Sequence, residues 1–443
     1  MKKREFLKKS AALASLAVFP SPLWSIKNSN IRLAQIGVGG MGAQDLNSMS
    51  SHSSVSVVAL CDVDLSALNE AKKIHPNAKA YSDYRIMLKE MKDEIDAVQV
   101  STPDHTHAPA SIMAMNLNKH VYCQKPLTHN PSESRLMMKI AKEKKLTTQM
   151  GIQVHSFYDY KLATILIKGG IIGKIKTVRA WTHGNSGYDG PIPMGNDPIP
   201  ESLNWNLWLG TSPERPYKKG YYHPSEWRKI VDYGCGTLGD MGVHIFDTPY
   251  NALELDSPIT VKNECRKHNG FSFPEANTVK YTFPGTRYTT NKLTWVWTDG
   301  QFPLIEDDLK LPNQDELPVQ GSMFIGEKGR LLLPHFMQEP RLIVNGDYKE
   351  IDISKYPKAL ELKSPARDYD IDTKIHYHEF VDACLGKADC SAPFSYSGRL
   401  TEVILLGVIA GRFPNKKLHW DIEKGRFKES AANKFLDSEY RIF

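Results

Sequence analysis

The stretch IRLAQIGVGGMG, residues 31–42, decides the fold of the first part of the chain. A short apolar run ends in the pattern Gly37-x-Gly39-x-x-Gly42, and AQDLNSMSS then continues with helical spacing. A strand that passes through such a turn into a helix is typical of a βαβ unit that holds a dinucleotide. The glycine pattern alone is weak evidence, so the surrounding sequence has to support it.

That surrounding sequence alternates regularly between strands and helices. Apolar runs such as VSVVALC and IDAVQVS predict buried strands, and segments such as PSESRLMMKIAKEKK between them predict helices. Strands joined through helices are parallel, and right-handed crossovers place helices on both faces of the sheet. We therefore predict an α/β fold that begins with a doubly wound parallel sheet of the Rossmann type over residues 31–152.

The glycine turn and the acid that follows it predict an NAD site. Gly37 permits the tight turn, Gly39 lets the backbone approach a pyrophosphate, and Gly42 lets the helix pack closely. Asp62 ends the second strand, where a carboxylate accepts hydrogen bonds from ribose hydroxyls and repels the 2′-phosphate of NADP. NAD is therefore expected rather than NADP. The predicted cofactor contacts in this segment are Gly37, Gly39, Gly40, Met41, Gly42 and Asp62.

Beyond residue 152 the pattern changes, and we predict a second α+β domain over residues 153–430. A helix is expected at 157–169 and a strand at 174–183. Residues 184–230 are rich in Pro, Gly, Trp and Tyr, which suits either stacking on sugar rings or packing. Runs such as NTVKYTF and TRYTTNKLTWVW then predict an antiparallel sheet, and two helices close the chain.

The N-terminus, MKKREFLKKSAALASLAVFPSPLWS, joins a basic segment to a short apolar run from Ala11 to Phe19. This is the anatomy of an export signal, expected over residues 1–26, and KREFLKK resembles a twin-arginine signal in which Lys3-Arg4 replaces the arginine pair. The apolar run is too short to span a bilayer. A periplasmic protein without stable membrane insertion is expected; a cytoplasmic protein with a basic terminus is the alternative.

Composition excludes several classes of function. Of the formal net charge of +6, residues 1–26 carry five Lys or Arg and one Glu, so the body is close to neutral and lacks the electrostatic footprint of a nucleic-acid-binding protein. None of the six cysteines forms a C-x-x-C pair, so no zinc or iron–sulfur site is predicted. Cys384 and Cys390 are either a disulfide pair or two small buried side chains.

Four motifs, AQIGVGGMG, STPDHTHAP, YCQKPLT and GTLGDMGVHIFD, follow each other as in the Gfo/Idh/MocA oxidoreductase family, which the chain resembles from about residue 31 to 425. The resemblance implies a Rossmann domain plus a C-terminal α/β domain with a large, open, mostly antiparallel sheet. Such a sheet carries the substrate side and an oligomer interface, so a homodimer or homotetramer is expected. The substrates implied are sugars, polyols and their derivatives.

The resemblance also assigns catalytic residues. The family's catalytic lysine maps onto Lys125, and its aspartate and histidine map onto Asp240 and His244. A carboxylate and an imidazole four residues apart on a helix share one face, and histidine suits proton transfer near neutrality. The family has E-K-P where this chain has Gln124-Lys125-Pro126. We expect the neutral amide to withdraw electrostatic support from the lysine charge. Gln124 and Lys125 are also predicted to contact NAD.

Residues at the same edge of the sheet complete the predicted site. Thr102, Pro103 and His107 resemble the family segment at the nicotinamide, and Gln153 ends another strand there. His105 and His107 have no third ligand nearby in the sequence, so no metal site is expected. The candidate substrate contacts are His155, Tyr158, Arg179, His183 and Tyr233.

Three functions fit these features. The first is an NAD-dependent dehydrogenase that oxidises a hydroxyl of a sugar, polyol or glycoside. The second is a redox-neutral, NAD-dependent glycoside hydrolase: an exported enzyme would have to retain its cofactor and regenerate it in each cycle. The third is a non-catalytic sugar or cofactor sensor, which the presence of Lys125, Asp240 and His244 disfavours.

Overall fold

The computed structural model describes residues 29–443. The predicted export signal over residues 1–26 lies outside the described residues. The described chain forms two sheets, and the chain passes from the first to the second after residue 151.

The first sheet has six parallel strands in the order β3-β2-β1-β4-β5-β6, which is the order of a dinucleotide-binding Rossmann sheet and confirms the predicted fold class. Its inner strands are buried on both faces, as their continuous apolar runs predict. The strands are β1 (Ile31–Ile36), β2 (Val55–Cys61), β3 (Lys79–Tyr81), β4 (Ala97–Val100), β5 (His120–Gln124) and β6 (Thr148–Gly151).

Five helices connect these strands, and their starts are set by local capping. Asp64 and Asp83 each accept a hydrogen bond from a backbone N–H two residues on, and Asn130 with Glu133 forms a capping box. The helices are α1 (Met41–Ser50), α2 (Leu65–Ile74), α3 (Tyr84–Glu90), α4 (Asp104–Asn116) and α5 (Pro131–Lys144).

The second sheet has ten strands in the order β14-β13-β12-β11-β7-β10-β9-β8-β15-β16. All neighbours are antiparallel except β7 and β10, which run parallel, so the large, mostly antiparallel sheet is confirmed. The strands are β7 (Ile175–Thr182), β8 (Thr260–Cys265), β9 (Asn277–Pro284), β10 (Thr289–Asp299), β11 (Gln320–Gly326), β12 (Arg330–Pro334), β13 (Arg341–Val344), β14 (Asp347–Lys349), β15 (Leu418–Asp421) and β16 (Arg426–Phe427).

Several helices of the second part of the chain pack on the second sheet, and two of them contact the first domain. The helix predicted at 157–169 is α6. The C-terminal helices α10 and α11 pack on the first domain, where Tyr377 of α10 stacks on Tyr122 of β5. The helices are α6 (Tyr158–Lys168), α7 (Trp205–Leu209), α8 (Val243–Ala252), α9 (Pro357–Leu360), α10 (Tyr369–Cys384) and α11 (Phe394–Ala410).

The described residues also bear on the expectations for cysteines, membrane insertion and metal sites. The six cysteines, all within residues 29–443, are free, and Cys384 is buried while Cys390 is partly exposed. Across the described chain no helix combines the length and the apolarity that crossing a membrane requires. Within the same residues no cluster of three or more His, Cys, Asp or Glu side chains is placed to hold a metal ion.

Candidate active site

A cleft of about 1110 Å³ lies between the carboxyl ends of the first sheet's strands and the second domain. This edge is where ligands bind in doubly wound folds. The residues that follow β1, β2, β4, β5 and β6 all contribute to its wall. The cleft is large enough for a dinucleotide and a small substrate together.

The glycine turn at one end of the cleft has the geometry that a pyrophosphate requires. Gly37 has φ +83°, which favours glycine. A Cβ at Gly42 would lie 2.3 Å from the Gly37 carbonyl oxygen, so only glycine lets α1 approach the turn this closely. These close approaches are the reason for the motif, and the residues present fit a dinucleotide.

Asp62 lies at the same end of the cleft. Its carboxylate accepts hydrogen bonds from the N–H groups of Val38 (2.8 Å) and Asp64 (2.9 Å), and burial raises its pKa. The two backbone donors fix the carboxylate beside the glycine turn, and Asp62 lines the cleft there. This arrangement suits a ribose with free hydroxyls.

At the opposite end, Lys125 and Asp240 form a partly buried ion pair between the two domains. The Lys125 Nζ donates to the Asp240 Oδ1 (2.7 Å) and to its backbone oxygen (2.8 Å). The Ser186 hydroxyl donates to the other carboxylate oxygen (2.8 Å), and the Arg228 Nε lies 3.4 Å from Oδ1. Although burial opposes ionisation, Lys125 and Arg228 hold the pKa of Asp240 well below its usual range. The Lys125 ammonium therefore has a fixed position in the cleft.

Asp240 and His244 both face the cleft from one continuous helical segment. Asp240 lies in a π-helical turn, Leu238–Gly242, which runs directly into α8. Such turns are frequent at functional sites. The segment is helical as predicted, but the π turn changes the relative direction of the two side chains. Among the described residues, the Asp240 carboxylate pairs with Lys125, Arg228 and Ser186 and makes no hydrogen bond to His244.

His244 is a neutral imidazole whose Nδ1 is buried without a hydrogen-bond partner among the described residues. Burial and the charge of Lys125 hold its pKa well below the ordinary value for histidine. The ring borders the cleft. A neutral imidazole at this position can accept a proton from a substrate hydroxyl.

Sequence comparison identifies the two domains. Residues 31–152 match the family model of the Gfo/Idh/MocA oxidoreductases for an NAD-binding Rossmann fold, and residues 163–286 match the model for their C-terminal α/β domain. The chain belongs to the Gfo/Idh/MocA oxidoreductase family. Its first domain is therefore an NAD-binding Rossmann domain, in agreement with the glycine turn and Asp62.

Individual relatives match shorter segments. A glycosyl hydrolase family 109 protein from Stenotrophomonas maltophilia is 37% identical over 135 residues, which cover 28% of this chain and 29% of that protein. A levoglucosan dehydrogenase from Pseudarthrobacter phenanthrenivorans is 30% identical over 191 residues, which cover 43% of this chain and 40% of that protein. The matches thus span well under two thirds of either relative.

A solved structure shares the fold over most of the chain. The crystal structure of an oxidoreductase domain protein from Kribbella flavida superposes with a TM-score of 0.62 at 19% sequence identity. The superposition covers 88% of this chain and 99% of that one. At this identity, the similarity establishes that the two proteins share the fold.

Within this family site, the structure places most of the predicted cofactor contacts on the cleft wall. His107 is different: it is buried beneath the loop, with its two ring nitrogens 2.8 Å from the carbonyl oxygens of Pro126 and Thr102. It therefore fixes the loops beside Lys125 and does not reach the cleft. Predicted contacts that line the cleft are Gly37, Gly39, Gly40, Met41, Gly42, Asp62, Thr102, Pro103, Gln124, Lys125 and Gln153.

The five candidate substrate contacts do not line the cleft. Arg179 is held by Glu306 (2.9 Å) and Asp308 (3.0 Å). His155 pairs with both oxygens of Asp247 at 2.9 Å. These two positions are occupied by structural ion pairs that sequence spacing does not reveal.

The other three candidates are explained by packing or by exposure. Tyr233 is fully buried and packs edge-on against Trp208 in an aromatic cluster. Tyr158 lies under the Arg367 guanidinium, 5.9 Å from the ring centre. His183 is exposed and stacks on Phe302. Most of the aromatic residues between 181 and 233 therefore pack on each other.

Other side chains line the substrate end, and sequence analysis did not select them. His335, on the connection after β12, borders the cleft, with its ring centre 6.1 Å from that of His244. The Tyr160 hydroxyl hydrogen-bonds its Nδ1, and burial with the charge of Lys125 lowers the pKa of His335 to about 3. In the sequence, Ser186 lies in a short polar segment between aromatic residues, which is only a weak indication of a functional site. The missed residues include Asn185, Ser186, Arg228, Gln320 and His335.

Asp104, the first residue of α4, gives a prediction about stability. Burial raises the pKa of Asp104 to about 7, against the opposing charges of Arg228 and Lys125. At pH values between the ordinary pKa of an aspartate and 7, Asp104 keeps a proton in the folded protein that it loses in the unfolded chain. The free energy of unfolding therefore falls as the pH rises through this window. We expect Asp104→Asn to flatten the decrease in melting temperature between pH 5 and pH 8. Exposed Asp93→Asn is the control; an unchanged slope in Asp104→Asn would contradict the prediction.

Proposed function

We propose that the protein transfers hydride between NAD and a hydroxyl of a sugar, polyol or glycoside. The observation that carries the proposal is the convergence of Lys125, Asp240 and His244 at one end of the cleft whose other end is the glycine turn. The names of two relatives support a carbohydrate substrate, a levoglucosan dehydrogenase and an inositol 2-dehydrogenase from Salmonella typhimurium.

Each of the three side chains has a defined task in this reaction. Bound NAD supplies the hydride acceptor. The Lys125 ammonium, fixed by Asp240, donates a hydrogen bond to the substrate oxygen and stabilises the negative charge that develops on it. The neutral His244 imidazole accepts the hydroxyl proton. Arg228 and Ser186 keep Asp240 oriented toward Lys125.

A screen of purified protein tests this function. NAD is added with a panel of sugars, polyols and glycosides, and NADH is followed by its absorbance and fluorescence. We expect stoichiometric NADH formation with at least one member of the panel. If no substrate yields NADH while a nitrophenyl glycoside is cleaved, the dehydrogenase proposal fails in favour of the second candidate.

The second candidate is redox-neutral cleavage of a glycoside with a retained cofactor, and one structural observation favours it. Residues 199–229 of the second domain, here termed the strap, lie across the loop that follows Asp62. The Leu65 N–H donates to the Ser202 oxygen (2.9 Å) and the Asn204 N–H to the Val63 oxygen (2.9 Å). His223 pairs with Asp64 at 2.8 Å. A strap fixed at this end would slow cofactor release. The similarity to a glycosyl hydrolase family 109 protein agrees with this candidate.

The strap makes a testable prediction about cofactor retention. We expect His223→Ala to speed the dissociation of NADH roughly tenfold, because it removes the hydrogen bond between the partly buried side chains of His223 and Asp64. Dissociation is measured by stopped-flow fluorescence after addition of excess NAD. His183→Ala, which alters an exposed ring outside the cleft, is the control. Equal rates in both variants would show that the strap does not limit release.

Export and assembly are also part of the proposal. A retained cofactor agrees with export of a folded protein through a twin-arginine route, which cell fractionation of the full chain and a Lys3/Arg4→Gln variant would test.

We further propose a homodimer or homotetramer. Exposed Phe302, Leu304 and Ile305 offer an apolar patch that assembly would cover, and light scattering measures the mass in solution.

A further inference from the structure

Asp45, in the middle of α1, is a buried carboxylate that belongs to no assigned motif. Its side chain has no exposed surface, and four hydrogen bonds from three side chains end on its two oxygens. The donors are the Tyr377 hydroxyl (2.5 Å), the Ser101 hydroxyl (2.6 Å) and the Gln124 amide (2.9 Å to each oxygen). They come from α10 and from the ends of β4 and β5.

The network fixes the direction of each of these hydrogen bonds. Gln153 donates its amide N–H to the Tyr377 oxygen (2.9 Å), so the Tyr377 proton points to Asp45. The Gln35 amide N–H likewise donates to the Ser101 oxygen (3.1 Å), so the Ser101 proton also points to Asp45. All groups around the carboxylate therefore act as donors. A protonated Asp45 could donate only if the Ser101 or Tyr377 hydroxyl proton turned away from it and gave up its hydrogen bond to Asp45. Although burial raises the pKa of Asp45, this donor set selects the ionised form.

Gln124 is matched to this carboxylate. Its amide nitrogen faces Asp45 and its amide oxygen accepts the Lys125 N–H (3.1 Å). The side chain packs over Gly151, where an added Cβ would lie 2.8 Å from the amide carbon. A glutamate at 124, as in the family's E-K-P motif, would place two carboxylates at hydrogen-bond distance with no proton between them. The amide at position 124 and the carboxylate at position 45 are therefore complementary, and a change at one position affects the other.

We propose that Asp45 supplies the fixed negative charge of the nicotinamide end of the cleft, in place of the glutamate that the family's E-K-P motif carries at position 124. Three side chains bonded to Asp45 or to Tyr377, namely Ser101, Gln124 and Gln153, form the wall of the cleft beside Lys125. The charge therefore lies directly behind the surface that a nicotinamide would contact. In this chain the residue at the strand end is a neutral amide, and the carboxylate beside it is provided by α1.

A negative charge at this position favours the cationic, oxidised nicotinamide over the reduced form. We expect Asp45→Asn to raise the ratio of the dissociation constants, Kd for NAD⁺ over Kd for NADH, about tenfold. The ratio is measured by displacing NADH from the full chain with NAD⁺ and following NADH fluorescence, which needs no sugar substrate. Tyr377→Phe, which removes a donor but keeps the charge, should leave the ratio within twofold.

An exchange of the two residues completes the test. Gln124→Glu alone should lower the melting temperature, because it places a second carboxylate against Asp45. The double variant Asp45→Asn/Gln124→Glu restores one carboxylate and one amide, and should recover most of the melting temperature and the wild-type ratio. An unchanged ratio in Asp45→Asn, or a double variant that melts no higher than Gln124→Glu, overturns the proposal. If Asp45→Asn does not fold, the double variant decides. Loss of dehydrogenase activity in the sugar screen would not affect either result.

Discussion

Replacing Lys125 with methionine is expected to lower the rate of NADH formation about a thousandfold, the loss typical when a preorganised donor to a developing oxyanion is removed. Lys125 is suited to this role because Asp240 holds its Nζ at 2.7 Å and the second domain covers it. Methionine keeps the length of the side chain but has no charge and no N–H. The variant should still bind NADH, since the glycine turn and Asp62 lie at the other end of the cleft.

Single-turnover kinetics with the substrate found in the screen measure this loss. Lys161→Met is the matched control, because Lys161 pairs with Glu379 (3.3 Å) and does not line the cleft. The control should retain wild-type rates. If Lys125→Met lost less than tenfold, hydride transfer would not depend on this ammonium.

Replacing His244 with asparagine is expected to lower the same rate by about 10²–10⁴-fold, the range for a general base. The structure adds a prediction about pH. Because the pKa of His244 is held well below its ordinary value, the imidazole is neutral throughout the neutral range and accepts a proton there. The acidic limb of the pH–rate profile should therefore lie well below pH 6.5.

A pH profile of the single-turnover rate between pH 4.5 and 9 measures the position of this limb. His183→Asn, at an exposed ring outside the cleft, should leave both the rate and the limb unchanged. An acidic limb near pH 6.5 in the wild type, or a limb that persists in His244→Asn, would show that another group accepts the proton. His335 is the neighbouring candidate for a limb that persists well below pH 6.5 in His244→Asn, since its ring lies 6.1 Å from that of His244 and its pKa is lowered to about 3.

Much of the structure of residues 31–152 could be predicted from local sequence patterns. The doubly wound parallel sheet follows from alternating apolar strands and helices, because right-handed crossovers leave few arrangements. The glycine turn was equally predictable, since a Cβ at Gly42 would overlap the Gly37 carbonyl in any sequence with this backbone. The motifs shared with the Gfo/Idh/MocA family predicted that Lys125, Asp240 and His244 lie in one cleft.

The substrate end was less predictable. Arg179 and His155 were plausible contacts by residue type and position, but Glu306, Asp308 and Asp247 neutralise them from distant parts of the chain. His335 and Ser186 were missed because neither belongs to a periodic element or a motif. Asp45 gave a weak signal, a charged residue inside a helix, and its three partners come from positions 56, 79 and 332 residues away.

The sequence by itself determined the Rossmann domain and its NAD-binding turn, because these depend on spacing within short segments. The resemblance to the family added Lys125, Asp240 and His244 as the expected catalytic residues. Only the tertiary structure decided which of the buried polar groups are paired, since an ion pair joins residues that the chain order separates. The tertiary structure also showed which groups the Gln124 side chain contacts. In the sequence, Gln124 is a lost negative charge beside Lys125; in the fold, it is an amide that faces the buried carboxylate of Asp45.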